Sequence, residues 1–81
     1  MSATGTGLTQ ERIRTDVAEL LDCPPEDIGP EDDLFDLGLD SVRIMSLIER
    51  WRGAGAAGLE FADLAEEPVL RRWTEILAGG A

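Results

Sequence analysis

Apolar residues recur at helical spacing in separate stretches of the chain. Ile13, Val17, Leu20 and Leu21 fall at i, i+4, i+7 and i+8, one stripe of an amphipathic helix. Thr9 suits the N-cap of this helix, Glu11 falls in its first turn, and Pro24-Pro25 stop it. A second stripe, Ile44, Leu47, Ile48 and Trp51 at i, i+3, i+4 and i+7, predicts a helix from Ser41 to about Arg52. A short helix is expected over Phe61 to Glu66. Pro68 closes it and opens a last helix, Val69 to about Leu77, with an apolar face of Val69, Leu70, Trp73, Ile76 and Leu77. Trp51 and Trp73 are read as core residues.

Between Pro25 and Asp40 lies a connection too long for a compact domain unless it serves a function. Its apolar residues Ile28, Leu34, Phe35, Leu37 and Leu39 predict that it is ordered and pinned across the helices. Met1 to Gly7 is small, polar and rich in Gly and Thr. Residues 1–8 are therefore expected to form a disordered N-terminal tail, 9–78 a single domain, and 79–81 a flexible C-terminal tail. Periodicity alone supports no more than a small all-α domain.

Charge narrows the partners. The net charge of −10 argues against nucleic acid and anionic membrane surfaces, which require a basic footprint, and favours partners with basic patches. Asp22, Glu26, Asp27, Glu31, Asp32, Asp33, Asp36 and Asp40 fall in one loop without a compensating arginine. Arg43, Arg50 and Arg52 fall on the helix that follows. With Gly38 as the sixth position of a calcium loop, Phe35 and Leu37 would occupy liganding positions, so no metal is expected. The single cysteine, Cys23, can form no internal disulfide and has no basic neighbour, which makes it an ordinary loop residue. No segment approaches the ~20 apolar residues of a membrane span, and the N-terminus lacks a basic region followed by an apolar run. A soluble, cytoplasmic protein is expected.

The chemistry concentrates at Leu37-Gly38-Leu39-Asp40-Ser41-Val42. Asp40 is a good N-cap, which puts Ser41 in the first helical turn, where unpaired N–H groups and the positive end of the helix dipole favour a phosphate. The chain has no histidine and no lysine to activate the Ser41 hydroxyl, so another enzyme must act on it. Ser2 lies in the tail and Ser46 inside a helix. The ordinary alternative for Ser41 is a helix-start serine without further role. Val42 and Met45 lie off the core stripe, and two readings stay open: a docking face, with methionine suited to several partners, or packing beneath the acidic loop.

Asp40-Ser41-Val42, preceded by Leu34-Phe35-Asp36-Leu37-Gly38, resembles the attachment site of phosphopantetheine-dependent carrier proteins. The resemblance extends from the helix near Thr9 to the one ending near Leu77. It implies an all-α, four-helix carrier bundle with a long first loop and a short third helix, packed mainly through its first, second and fourth helices. It further implies a monomer that does no catalysis itself. A phosphopantetheinyl transferase would attach 4'-phosphopantetheine from coenzyme A to Ser41. An acid-activating adenylation ligase would then load an acyl group as a thioester, for delivery to a condensation or modifying enzyme. Docking is expected to involve Asp40, Val42, Arg43 and Met45, with Phe61 and Ala65 from the short helix.

Within the family, Asp40-Ser41-Val42-Arg43-Ile44-Met45 followed by Glu49-Arg50-Trp51-Arg52 resembles most the aryl carrier proteins of siderophore-type nonribosomal assembly lines. An aromatic cargo is therefore expected, with a peptidyl or acyl carrier of amino acids or aliphatic groups as the alternative. There the domain often follows an isochorismatase, so a free-standing carrier or an excised domain is expected here. Two other motifs carry less weight. Gly53 to Gly58 spells G-x-G-x-x-G but follows a helix, with no room for a βαβ unit. Gly79-Gly80 is similar to the end of ubiquitin-like sulfur carriers, but Ala81 follows it.

Overall fold

A computed structural model describes residues 8–78; the tail segments 1–7 and 79–81 lie outside them. Four α-helices and one 3₁₀ turn make up the regular structure of the described residues: α1 Gln10–Leu21, the 3₁₀ turn Pro25–Asp27, α2 Ser41–Gly53, α3 Phe61–Ala65 and α4 Leu70–Leu77. α1 packs on α2 and α4, and α3 bridges α2 and α4. The all-α bundle with a long first loop and a short third helix is as expected.

Local rules account for the helix ends. Thr9 caps α1, its Oγ1 accepting from the Arg12 amide at 3.0 Å. α1 ends before the two prolines. Asp22 adopts the left-handed conformation at φ 58°, and its amide and that of Cys23 donate back to Glu19 and Ala18. α4 begins at Leu70, with Val69 as its extended N-cap rather than its first residue.

Ile44, Leu47, Ile48 and Trp51 are buried as the α2 stripe predicts, and Leu64, Leu70, Trp73 and Leu77 complete the interior from α3 and α4. α1 departs from its predicted stripe. Ile13, Val17 and Ala18 are buried, whereas Leu20 and Leu21 are only partly covered. Leu8, at the border of the predicted tail, is buried and belongs to the core.

The interior also holds a carboxylate. Asp16, 5% exposed, accepts from Arg12 Nε at 3.0 Å, Arg50 Nη1 at 3.1 Å and Trp51 Nε1 at 2.8 Å, so its burial is compensated from both α1 and α2. Arg50 also reaches Glu19 at 3.0 Å, and this hydrogen bond is the chief reason its guanidinium holds its proton more tightly than usual.

The long loop is ordered, and backbone bonds tie it to the start of α4. The Leu34 amide donates to Pro68 O at 2.9 Å and the Arg71 amide to Pro30 O at 3.0 Å. The expectation that its acidic residues lack an arginine needs correction: Arg71 of α4 pairs with Glu31 at 2.8 Å, and Arg43 pairs with Asp40. Two other loop acids act as local caps, Asp32 accepting from the Gly29 amide and Asp33 from the Phe35 amide.

Candidate functional site

The segment leading to Ser41 closes like a helix end. The Leu39 amide donates to Leu34 O and the Gly38 amide to Phe35 O, each at 3.1 Å, and Gly38 holds φ +116°. This is the Schellman pattern, in which a glycine turns the chain back and the two flanking apolar residues meet. It explains why Leu34 and Leu39 are buried while Phe35 and Leu37, between them, are each 41% exposed. Those two side chains were expected to be pinned with the rest. The spacing Leu34-x-x-x-Gly38-Leu39 is the signal that separates the inward pair from the outward one.

Asp40 then starts α2 as its N-cap, in extended backbone, with Oδ1 accepting from the Arg43 amide at 3.0 Å and its carbonyl from the Ile44 amide at 2.9 Å. Ser41 is the first helical residue and is exposed. The amides of Ser41 and Val42 have no partner among the described residues. A phosphodiester on the Ser41 hydroxyl fits this position: two open N–H groups at a helix start favour it, and Arg43 offsets the neighbouring Asp40 charge. Both carboxylate oxygens of Asp40 are engaged by Arg43, Oδ1 by its amide and Oδ2 by Nη1 at 2.9 Å.

The remaining predicted residues differ in their surroundings. Val42 is 75% exposed and Met45 48%, one turn apart on α2, so they do not pack beneath the acidic loop. Phe61 is exposed at the start of α3. Ala65 is half-buried and packs against the core. Arg43 is bonded within the chain, Nε donating to Leu20 O at 2.9 Å in addition to its pair with Asp40. Among the described residues no cluster of His, Cys, Asp or Glu could hold a metal ion, and no helix is long and apolar enough to cross a membrane.

Comparison with known proteins bears on the same region. The family model described as "Phosphopantetheine attachment site" matches residues 11–77. The isochorismatase of Bacillus subtilis is 52% identical over 69 residues, 85% of this chain and 22% of that protein. Phenyloxazoline synthase MbtB of Mycolicibacterium paratuberculosis is 44% identical over 70 residues, 86% of this chain and 6% of the synthase. The acyl carrier protein ScoB of Streptomyces coeruleorubidus is 42% identical over 77 residues, 91% of this chain and 89% of that one. No solved structure matches. The chain thus spans only a small part of the first two relatives but nearly all of the third. Helix order, a loop closed at Gly38 and a family match across the whole bundle agree: the chain belongs to the phosphopantetheine attachment site family and is a carrier protein with a covalently attached 4'-phosphopantetheine.

Proposed function

We propose that this carrier holds an aromatic acyl group as a thioester on a 4'-phosphopantetheine attached to Ser41, and delivers it to biosynthetic enzymes. The exposed Ser41 hydroxyl at the start of α2 supports the attachment. When bound, the group supplies the terminal thiol that carries the cargo. The chain's own part is to present the anchor and the docking surface. Asp40 is occupied by Arg43, and no histidine or lysine exists to serve as a base. A phosphopantetheinyl transferase modifies Ser41, an adenylation ligase loads the arm, and a condensation or modifying enzyme receives the acyl group. Val42, Met45 and Phe61 form the apolar centre of the docking surface, with Asp40 and Arg43 as its charged rim and Ala65 at its edge. A surface this small suits partners that bind and leave, and tethering then makes each transfer intramolecular.

Beside the motif resemblance, the observation that supports an aromatic cargo is the 44% identity to a synthase named for a phenyl-bearing product. The second reading is an amino-acid or aliphatic cargo; the similarity to acyl carrier protein ScoB over nearly its full length supports an acyl carrier without naming the acyl group. The experiment offers the modified protein to aryl-activating and amino-acid-activating ligases, each with its acid and ATP, and follows thioester formation by intact mass. Faster loading by the aryl ligases is expected. Faster loading by the amino-acid ligases across several pairs would overturn the aryl assignment and leave the carrier intact.

A further inference from the structure

Arg43 joins two points, the start of α2 at Asp40 and the end of α1 at Leu20, that only the fold brings together. Its backbone amide and Nη1 hold the two carboxylate oxygens of Asp40, at 3.0 and 2.9 Å. Its Nε donates to the carbonyl of Leu20 at 2.9 Å, 23 residues earlier. Leu20 lies in the last turn of α1, where backbone carbonyls lack helical partners and the dipole favours a cation. α1 has no basic residue of its own in that turn. The carbonyls of Ala18 and Glu19 are met by the amides of Cys23 and Asp22, and Leu20 is met by Arg43. Beside this contact, the Leu21 side chain lies against Gly38, its Cδ2 3.7 Å from where a Cβ would stand. The approach to Ser41 therefore rests on the end of α1 from both sides, at Gly38 before it and at Arg43 after it.

We propose that Arg43 is a positioning residue for modification of Ser41, clamping the Asp40–Ser41 start of α2 onto the C-terminal end of α1. This rests on Ser41 being the attachment point. The guanidinium suits the task because its planar fork gives donors in fixed directions, one set to the carbonyl and one to the carboxylate, which a lysine ammonium cannot reproduce together. Without the clamp, the Asp40 carboxylate keeps its helix amide but loses its lateral hold, and the helix start is free to lift from α1. The Ser41 hydroxyl then samples several positions, and a transferase that needs it aligned for attack finds it so less often.

The test compares wild type, Arg43→Ala, Arg43→Lys and Ser41→Ala as transferase substrates with coenzyme A, followed by intact mass, together with amide hydrogen exchange on the unmodified proteins. For Arg43→Ala, kcat should fall about tenfold, the signature of lost alignment, over and above any rise in KM that its place on the docking rim brings. Arg43→Lys should fall between it and wild type. Amides 43 and 44 should exchange several-fold faster in Arg43→Ala while the core amide of Ile48 keeps its protection. An unchanged kcat, with or without a raised KM, or unchanged exchange at 43 and 44, would leave Arg43 a docking contact at most and would overturn the positioning role. Mass gain by Ser41→Ala would instead remove the attachment assignment itself. If Ser41→Ala is inert and Arg43→Ala turns over like wild type, the attachment stands and the clamp alone fails.

Discussion

The indole N–H of Trp51 donates to the buried carboxylate of Asp16 at 2.8 Å, joining α2 to α1 by a charged hydrogen bond inside the core. The same indole meets Trp73 edge to face, with ring centroids 6.0 Å apart and planes at 76°. Trp73 in turn donates from its own N–H to the Leu64 carbonyl at 2.9 Å. One continuous set of contacts thus links all four helices, and the geometry of the aromatic pair is the favoured one.

Asp16→Ala should cost about 3 kcal/mol, because it leaves the Trp51 donor and Arg50 without their buried acceptor. Trp51→Phe keeps most of the apolar bulk and leaves Asp16 with two arginines, so about 1–2 kcal/mol is expected. Urea unfolding of both variants checks the order. A cost for Asp16→Ala no greater than that of an ordinary surface substitution would show that the network adds nothing net.

Asp40→Ala removes the N-cap of α2 and should destabilise by about 1 kcal/mol. Ser41→Ala removes an exposed hydroxyl that caps nothing, so its stability should stay within about 0.5 kcal/mol of wild type while modification is lost. Thermal melts and intact mass on the same samples decide both halves. Equal destabilisation by the two substitutions would mean that Ser41 shares the capping role.

Met45→Asp should leave the melt nearly unchanged and weaken partner binding, since the side chain is half exposed. Leu47→Asp places an unpaired carboxylate where the side chain is fully buried, a cost of more than about 4 kcal/mol that unfolds so small a domain. Circular dichroism separates them. Similar losses in both variants would make Met45 a core residue and end its assignment to docking.

Two of the three positive-φ positions among the described residues, Asp22 and Gly38, should respond in opposite directions. Asp22→Gly should stabilise by about 0.5 kcal/mol, because glycine accepts φ 58° without a Cβ penalty. Gly38→Ala should cost about 1–2 kcal/mol through backbone strain at φ +116°, although the space itself is open, with only Leu21 near. It should also slow modification of Ser41 by tilting the chain that leads to it. A neutral Gly38→Ala, measured by denaturant unfolding, would show that the turn tolerates a side chain.

Helix existence, the α2 stripe, the Thr9 and Asp40 caps and the placement of Ser41 at a helix start were all legible in the chain. Each depends on residues three or four apart, and their geometry is set by the backbone of a single helix. The outward Phe35 and Leu37 were legible in principle too, through the Leu34–Gly38–Leu39 closure, although apolar character alone predicted them pinned with the rest. Tertiary structure alone decided the rest. Asp16 reads as an ordinary exposed acid, because Arg50 and Trp51, which make its burial tolerable, stand 34 and 35 residues away. The loop's acids look unpaired until Arg71 arrives 40 positions after Glu31. Arg43 likewise reads as a surface cation, and only the packing of α2 beside the end of α1 brings the Leu20 carbonyl within its reach. Such pairs lie beyond local periodicity because a hydrogen bond depends on distance in space, and only the closed bundle brings remote segments to about 3 Å of one another.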